Sequence, residues 1–275
     1  MDRVLRHAIA QGVDPVKAIQ MCTLNTAEHF GVSRDVGLIA PGRYADVVLT
    51  SSLPDFRAEQ VYARGWLIAE QGRLLVDLPT FAYPSWATNS VHLARPLSAA
   101  DLRLAAPDGV RRVQANVIGV VENQAPTRHL QCEVAVENGA IVPDPVHDLA
   151  KVALVERHRG TGSVQVGLVH GFGLQDRCAL ATTVAHDSHH LIVVGTDDED
   201  MALAVNRLAE VHGGQVVVRE GEVIGLVELP IAGLMSDQPA QVVAAKAEQL
   251  LAGFRACGCT LNNANMQLSL LALVV

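Results

Sequence analysis

The residues best suited to chemistry lie in one short stretch of the chain, from His186 to His190. It contains three imidazoles, one carboxylate and one hydroxyl (His186, Asp187, Ser188, His189 and His190). Near neutral pH a histidine can bind a metal, transfer a proton or donate a hydrogen bond, and a neighbouring carboxylate can fix its tautomer. The stretch therefore predicts a functional site. A solvated turn would have a similar composition, and spacing alone leaves both interpretations open.

Apolar segments of β type flank this stretch on both sides, and the second of them is Leu191–Val194. We therefore expect the histidines to lie in a loop where one buried strand ends and the next begins. Loops held at strand ends are where rigid scaffolds commonly present reactive groups.

A second polar cluster follows the predicted strand 152–155 directly and consists of Glu156, Arg157 and His158. Gly160 and Gly162 allow the backbone to turn tightly there, but their spacing is too short for a phosphate-binding loop. We expect this cluster to converge on the loop containing His186.

A third candidate is the segment 229–237, in which Pro230 and Gly233 bend the chain. Ser236 and Asp237 are predicted to cap the next helix across Pro239, and this structural role is favoured over a direct site role.

Composition and charge exclude several classes of function. The chain has 275 residues, a formal net charge of −8 and no basic cluster, so we expect no binding to nucleic acid or anionic lipid. It has no apolar run of ~20 residues and no signal-peptide pattern, which predicts a cytoplasmic protein without a membrane segment. The five cysteines form no CxxC pair, and Cys257 and Cys259 are expected to be small buried residues rather than metal ligands.

Along the first half of the chain, helical spacing over residues 1–31 gives way to short strands and turns over residues 32–84. Residues 79–107 are interpreted as a linker with one short helical turn. At Met1 the chain starts inside an amphipathic helical pattern, so we expect it to be part of a longer protein.

The second half of the chain has the pattern of an α+β unit. Its helix at 197–211 opens with four carboxylates, which are predicted to cap the helix rather than to bind a cation. A hairpin at 216–224 and a helix at 239–256 follow, and residues 268–275 are predicted to form a final apolar strand.

Several of these stretches together resemble a known family. Residues 1–31 resemble the last barrel helix of the amidohydrolase superfamily, and residues 37–48 resemble the strand pair by which those enzymes return to their β module. Longer motifs in the second half resemble the C-terminal domain of the adenine deaminase family, and these are Val155–Gly162, Gly171–Leu174, Val184–His189, Val193–Thr196, Asp200–Arg207 and Leu229–Asp237.

The resemblance implies an α+β fold with three parts. Residues 1–31 would be the terminal helices of a truncated (β/α)₈ barrel, and residues 32–90 a small β module. Residues 91–275 would form the adenine deaminase C-terminal domain, with a mixed sheet and flanking helices.

The resemblance also implies hydrolysis of adenine to hypoxanthine and ammonia by water activated on Mn²⁺ or Fe²⁺, in an enzyme that is a homo-oligomer. The metal ligands of this family would lie upstream of Met1, so none is assigned here, and the chain alone is expected to be inactive and to bind no metal. Supporting or lid roles fall to Glu156, Arg157, His158, His186, Asp187 and His189, and substrate contacts to Ser188, Ser236 and Asp237. The alternatives are another cyclic-amide or nucleobase amidohydrolase, or a fragment without catalysis that binds a metal or a protein.

Overall fold

The computed structural model describes residues 1–175 and 177–273, which form two compact units, Met1–Phe81 and Ala82–Val275. The boundary between the units lies within the segment interpreted as a linker. The finer division into three parts at residues 31 and 90 stays a prediction.

Three short helices and a four-stranded sheet form the first unit. The elements are α1 (Asp2–Ala10), α2 (Pro15–Cys22), α3 (Leu24–His29), β1 (Val47–Leu49), β2 (Gln60–Ala63), β3 (Trp66–Glu70) and β4 (Arg73–Leu74). The strands pair in chain order, and each pair is antiparallel. The Asp14 side chain caps α2 by accepting a hydrogen bond from the Lys17 amide at 3.0 Å, with Pro15 at the first helical position. The predicted helices and hairpins of this region are confirmed.

An apolar groove of about 1040 Å³ opens on the first unit, between its helices and the segment that includes β1. Leu5 and Ala27 lie buried beside it, whereas Phe30 and Ile39 on its wall are exposed. This unit therefore has a substantial apolar face that is open to contact.

A ten-stranded mixed sheet forms the centre of the second unit. Its strands are β5 (Leu104–Ala105), β6 (Arg112–Gly119), β7 (Arg128–Glu137), β8 (Ala140–Ile141), β9 (Leu149–Val155), β10 (Val164–His170), β11 (Cys178–Thr182), β12 (Leu191–Gly195), β13 (Gly214–Arg219) and β14 (Glu222–Glu228). Their order across the sheet is β14-β13-β11-β12-β9-β10-β6-β7-β8-β5. Of the described pairings, β6 with β10 is parallel and the others are antiparallel.

Helices cover both faces of the central strands. They are α5 (Asp198–Glu210), α6 (Ala240–Ala256) and α7 (Ala264–Leu270), and a further short helix, α4 (Ser85–Thr88), precedes the sheet along the chain. Because successive side chains of a strand point to opposite faces, Leu180 packs in one core with residues of α6 and α7, whereas Ala181 packs in another core with residues of α5. The strands are buried on both faces, which explains why β11 and β12 are continuously apolar rather than alternating. The predicted α+β class with a mixed sheet and flanking helices is confirmed.

The acidic first turn of α5 caps the helix, as predicted. Asp197 accepts hydrogen bonds from the amides of Glu199 and Asp200 at 3.1 and 3.0 Å. Asp200 is buried and accepts hydrogen bonds from the amides of Glu220 and Gly221, at 3.0 and 2.8 Å. The carboxylates thus join the start of α5 to the turn between β13 and β14.

The prediction of a final strand over residues 268–275 is wrong, because Ala264–Leu270 is helical. The Asn263 side chain accepts a hydrogen bond from the Met266 amide at 3.2 Å and caps this helix. Ala264 and Leu268 are both buried, and their spacing of four residues places them on one helix face. Val274 and Val275, which also belonged to the predicted strand, lie outside the described residues.

The interpretation of residues 79–107 as a linker with a single helical turn is also wrong. The segment contains α4, a 3-10 turn at Ala99–Leu102 and strand β5. Ala87, Val91 and Leu102 are buried, so the segment packs as part of the second unit. The 3-10 turn is stabilised by a capping box between Ser98 and Asp101.

None of the helices among the described residues combines the length and apolarity needed to cross a bilayer.

Candidate functional site

The histidine stretch lies in the loop that connects β11 to β12, as predicted. These strands are antiparallel neighbours, and Thr182 pairs with Ile192 across the base of the loop. Buried Thr183 fixes the start of the loop, because its hydroxyl donates to the Gly233 carbonyl at 2.6 Å and accepts from the Gly214 amide at 2.8 Å. On the other side the His186 amide donates to the Ser269 carbonyl at 3.2 Å.

The second polar cluster forms a compact turn around the Glu156 carboxylate. Its oxygens accept hydrogen bonds from the amides of His158, Arg159 and Thr161 at 2.5, 2.8 and 3.0 Å, and from the Thr161 hydroxyl at 3.0 Å. Burial alone would raise the pKa of Glu156, but these hydrogen bonds outweigh it and lower the pKa to about 2. Glu156 is therefore an anion that organises its own loop.

The two polar clusters meet, which confirms the predicted convergence. His158 Nε2 lies 2.8 Å from the Ser188 carbonyl oxygen, and Arg157 Nε donates to the His189 carbonyl at 2.6 Å. A carbonyl only accepts hydrogen bonds, so in its neutral form His158 carries its proton on Nε2. Arg157 is buried, whereas His158, Asp187 and Ser188 are exposed.

The imidazoles of the two loops lie close together. The ring centroids of His186 and His189 are 5.4 Å apart, and those of His158 and His190 are 4.9 Å apart. Burial, followed by the charge of His186, lowers the pKa of His189, and burial, followed by the charge of His158, lowers the pKa of His190. Both imidazoles are therefore neutral at pH 7, and a neutral imidazole has one donor and one acceptor nitrogen.

The segment 229–237 contributes backbone groups to the site. The Ala232 carbonyl accepts a hydrogen bond from Arg157 Nη2 at 3.1 Å. Ser236 and Asp237 do not cap the following helix, contrary to prediction, because α6 begins after Pro239 without a side-chain cap. Their side chains instead bond to Gln238, whose amide donates to the Ser236 hydroxyl at 3.1 Å and whose side chain donates to Asp237 at 2.9 Å.

Two residues that support the site, Ala87 and Ser90, are not predicted from the sequence. The Ser90 carbonyl accepts from Arg157 Nη1 at 2.8 Å, and the Ala87 carbonyl accepts from the Ala232 amide at 2.5 Å. The capping box at Ser98 and Asp101 accounts for the 3-10 turn, but it does not indicate the contacts of Ala87 and Ser90.

A divalent metal does not fit the side chains that the structure describes. Among residues 1–175 and 177–273, no three His, Cys, Asp or Glu side chains are placed to hold one. Cys257 and Cys259 are buried in the core formed with α6 and α7. The arrangement instead offers neutral imidazoles and loop carbonyls, which are suited to hydrogen bonding with a neutral polar ligand.

Two family models match the sequence of this chain. Residues 124–275 match the family described as "Adenine deaminase C-terminal domain", and residues 1–68 match the "Amidohydrolase family". The chain is 59% identical over 276 residues to a protein named adenine deaminase from Ruegeria pomeroyi, and 54% identical over 275 residues to one from Mesorhizobium japonicum. An adenine deaminase from Moorella thermoacetica is 48% identical over 275 residues. Each alignment covers 100% of this chain and 46% of the relative, so the chain spans about half the length of these proteins.

Proposed function

Since this chain belongs to the adenine deaminase C-terminal domain family, we propose that it is the C-terminal portion of an enzyme that hydrolyses adenine. Water adds at C6 of the purine, the C6–N bond breaks, and hypoxanthine and ammonia are released. The observation that carries the proposal is the 59% identity along the whole chain to a protein named adenine deaminase.

In this proposal the two converging loops form part of the wall that faces the substrate. His158, His186 and His189 donate to or accept from a neutral heterocycle, and Asp187 and Ser188 lie at the exposed tip of the loop. The neutral imidazole of His189 favours an uncharged base over an anionic ligand. Substrate contacts by Ser188, Ser236 and Asp237 belong to the same proposal.

The first unit is proposed to contribute the last helices of a (β/α)₈ barrel and the β module beside it. Its match to the amidohydrolase family and its open apolar groove support this assignment. The whole enzyme is proposed to use Mn²⁺ or Fe²⁺, to be a homo-oligomer and to act in purine catabolism or salvage in the cytoplasm. We assign no step to the metal, because the described residues do not fit one.

A chimera tests the proposed activity directly. This chain replaces the matched region of the Ruegeria pomeroyi protein, and ammonia release from adenine is measured with Mn²⁺ beside the chain alone. We expect release by the chimera and none by the chain alone.

Two results would contradict the proposal. One is a folded chimera that releases no ammonia from adenine, and the other is a chimera that prefers a hydantoin or a dihydropyrimidine. Preference for these substrates would favour a different amidohydrolase activity, because the match over residues 1–68 does not itself distinguish between them.

A further inference from the structure

Arg157 is the most deeply buried charged group of the site, with 1% of its surface exposed. Among the described residues it has no carboxylate within ion-pair distance, although a buried charge is costly unless it is paired or fully hydrogen-bonded. Its guanidinium is instead satisfied by uncharged oxygens, most of them backbone carbonyls. A buried arginine in this setting must have a role other than binding a counterion.

The guanidinium bonds to three segments that are far apart in sequence. Nε donates to the His189 carbonyl at 2.6 Å, Nη1 to the Ser90 carbonyl and hydroxyl at 2.8 and 3.3 Å, and Nη2 to the Ala232 carbonyl at 3.1 Å. The planar fork of arginine fixes the directions of these bonds, which a lysine ammonium cannot reproduce. One side chain thus sets the relative positions of the histidine loop, the 229–237 segment and residue 90.

Two of the three segments have unusual backbone conformations at the point of contact. His189 and Ala232 have φ of 50° and 58°, in the left-handed region that most residues with a side chain avoid. Gly233 approaches so closely that a Cβ atom there would lie 2.9 Å from Arg157 Nη1. Hydrogen bonds to the carbonyls of such residues hold a conformation that the segments would rarely adopt alone.

Hydrogen bonds within the histidine loop determine which ring nitrogen of His189 is available to a ligand. The His189 amide donates to the Ala185 carbonyl at 2.6 Å, and the Ala185 amide donates to His189 Nδ1 at 3.2 Å. Nδ1 is therefore an acceptor within the loop, and the proton of the neutral ring lies on Nε2. Because Arg157 holds the carbonyl of the same residue, it holds the backbone from which this ring projects.

We propose that Arg157 is the positioning residue of the histidine loop, which fixes His189 so that its Nε2–H faces the ligand. That the ligand is adenine rests on the proposed function. The fixed orientation of the His189 ring, in contrast, is a property of this chain itself. Arg157 makes no contact with substrate in this role.

The test uses ¹⁵N-labelled histidine in the full chain, because ring nitrogen shifts report the tautomer. In wild type we expect one set of His189 shifts with the proton on Nε2. In Arg157→Lys we expect shifts averaged between tautomers, whereas Arg159→Met, which changes an exposed arginine two residues away, should leave them unchanged.

A second variant covers the case in which Arg157→Lys does not fold. Gly233→Ala displaces the guanidinium without removing it, and Gly221→Ala is its control, because it also has a left-handed φ (+81°) but no atom within 4 Å of the added Cβ. We expect averaged His189 shifts in the first and wild-type shifts in the second. Wild-type His189 shifts in both variants, or in Gly233→Ala alone where Arg157→Lys does not fold, would overturn the proposal.

Kinetics in the chimera separate this inference from the proposed function. We expect Arg157→Lys to lower kcat for adenine at least tenfold with less than a threefold change in KM. A wild-type chimera without activity contradicts the proposed function, while the tautomer measurement still decides the role of Arg157.

Discussion

The imidazole rings of His158 and His190 lie 4.9 Å apart between centroids, with their planes inclined by 50°. They belong to the two loops that converge at the site, so protonation of both rings would place two positive charges side by side, next to buried Arg157. Glu156 is the carboxylate that opposes this repulsion. Protonation of His190 is therefore expected to weaken the contact between the two loops.

The first prediction concerns the pH dependence of stability. Burial and the charge of His158 lower the pKa of His190 below its ordinary value of 6.5. A histidine with a lowered pKa in the folded state leaves stability unaffected above pH 6.5 and reduces it as pH falls through the folded-state pKa. We expect the free energy of urea unfolding to fall between pH 7 and pH 5, and to fall less in His190→Gln. An equal fall in His190→Gln would contradict this, and exposed His129→Gln is the control.

The second prediction concerns Glu156, whose pKa is lowered to about 2. A carboxylate with a lowered pKa contributes stability above its unfolded-state pKa, and this contribution is lost as pH falls through about 2. Glu156→Gln replaces an acceptor of four hydrogen bonds and should cost about 1–3 kcal/mol at pH 7. The cost should shrink as pH falls from 4.5 towards 3. A cost that is independent of pH would mean that the carboxylate charge is not what organises the loop.

Local patterns were sufficient to predict where the two polar loops lie. Continuous apolar segments on both sides of the histidines identified the two buried strands, and a polar cluster directly after the strand at 152–155 identified the second loop. The convergence of the loops followed, because polar residues at the ends of strands in one sheet tend to meet.

Long-range contacts could not be predicted in the same way. The bonds from Arg157 to Ser90 and Ala232 span 67 and 75 residues, and no local pattern indicates them. At the C-terminus, a run of aliphatic residues suits both a strand and a helix, and packing of Leu268 in the core determined the outcome. Tertiary packing therefore determined the contacts of Arg157 and the conformation of the C-terminal segment, which the spacing of residues in the sequence does not specify.

The third prediction concerns the ion pair between Lys151 of β9 and Asp198 of α5. Lys151 has 2% of its side chain exposed, and its Nζ lies 2.8 Å from both carboxylate oxygens of Asp198. Lys151→Met leaves Asp198 without its partner, and because Asp198 is 27% exposed the loss should be near the lower end of ~3–5 kcal/mol. The double variant with Asp198→Asn should recover part of this loss. Additive losses in a double-mutant cycle would show that the pair is not coupled.

The fourth prediction compares two strand glycines. A Cβ at Gly195 would lie 2.5 Å from Met201 Cγ and 2.7 Å from the Cys178 carbonyl oxygen, whereas one at Gly167 would lie 3.7 Å from Val152 Cγ1. Gly195→Ala should destabilise the protein by about 1–3 kcal/mol, because the backbone cannot move aside. Gly167→Ala should be neutral or stabilising by up to ~1 kcal/mol. Thermal unfolding of the two variants checks this, and equal melting temperatures would contradict it.

The last prediction concerns activity and uses the chimera. His186, Asp187 and His189 are all changed to Ala, which removes two imidazoles and a carboxylate from the loop while leaving the strands at its base intact. If the loop faces the substrate, kcat/KM for adenine should fall by about 10–100-fold, as expected when hydrogen bonds worth about 1–3 kcal/mol are lost from a site. Arg159→Met in the same chimera serves as the control for a change of surface charge nearby. A triple variant with normal kcat/KM would place the loop away from the substrate, and the four imidazoles would then be a structural cluster of the C-terminal domain.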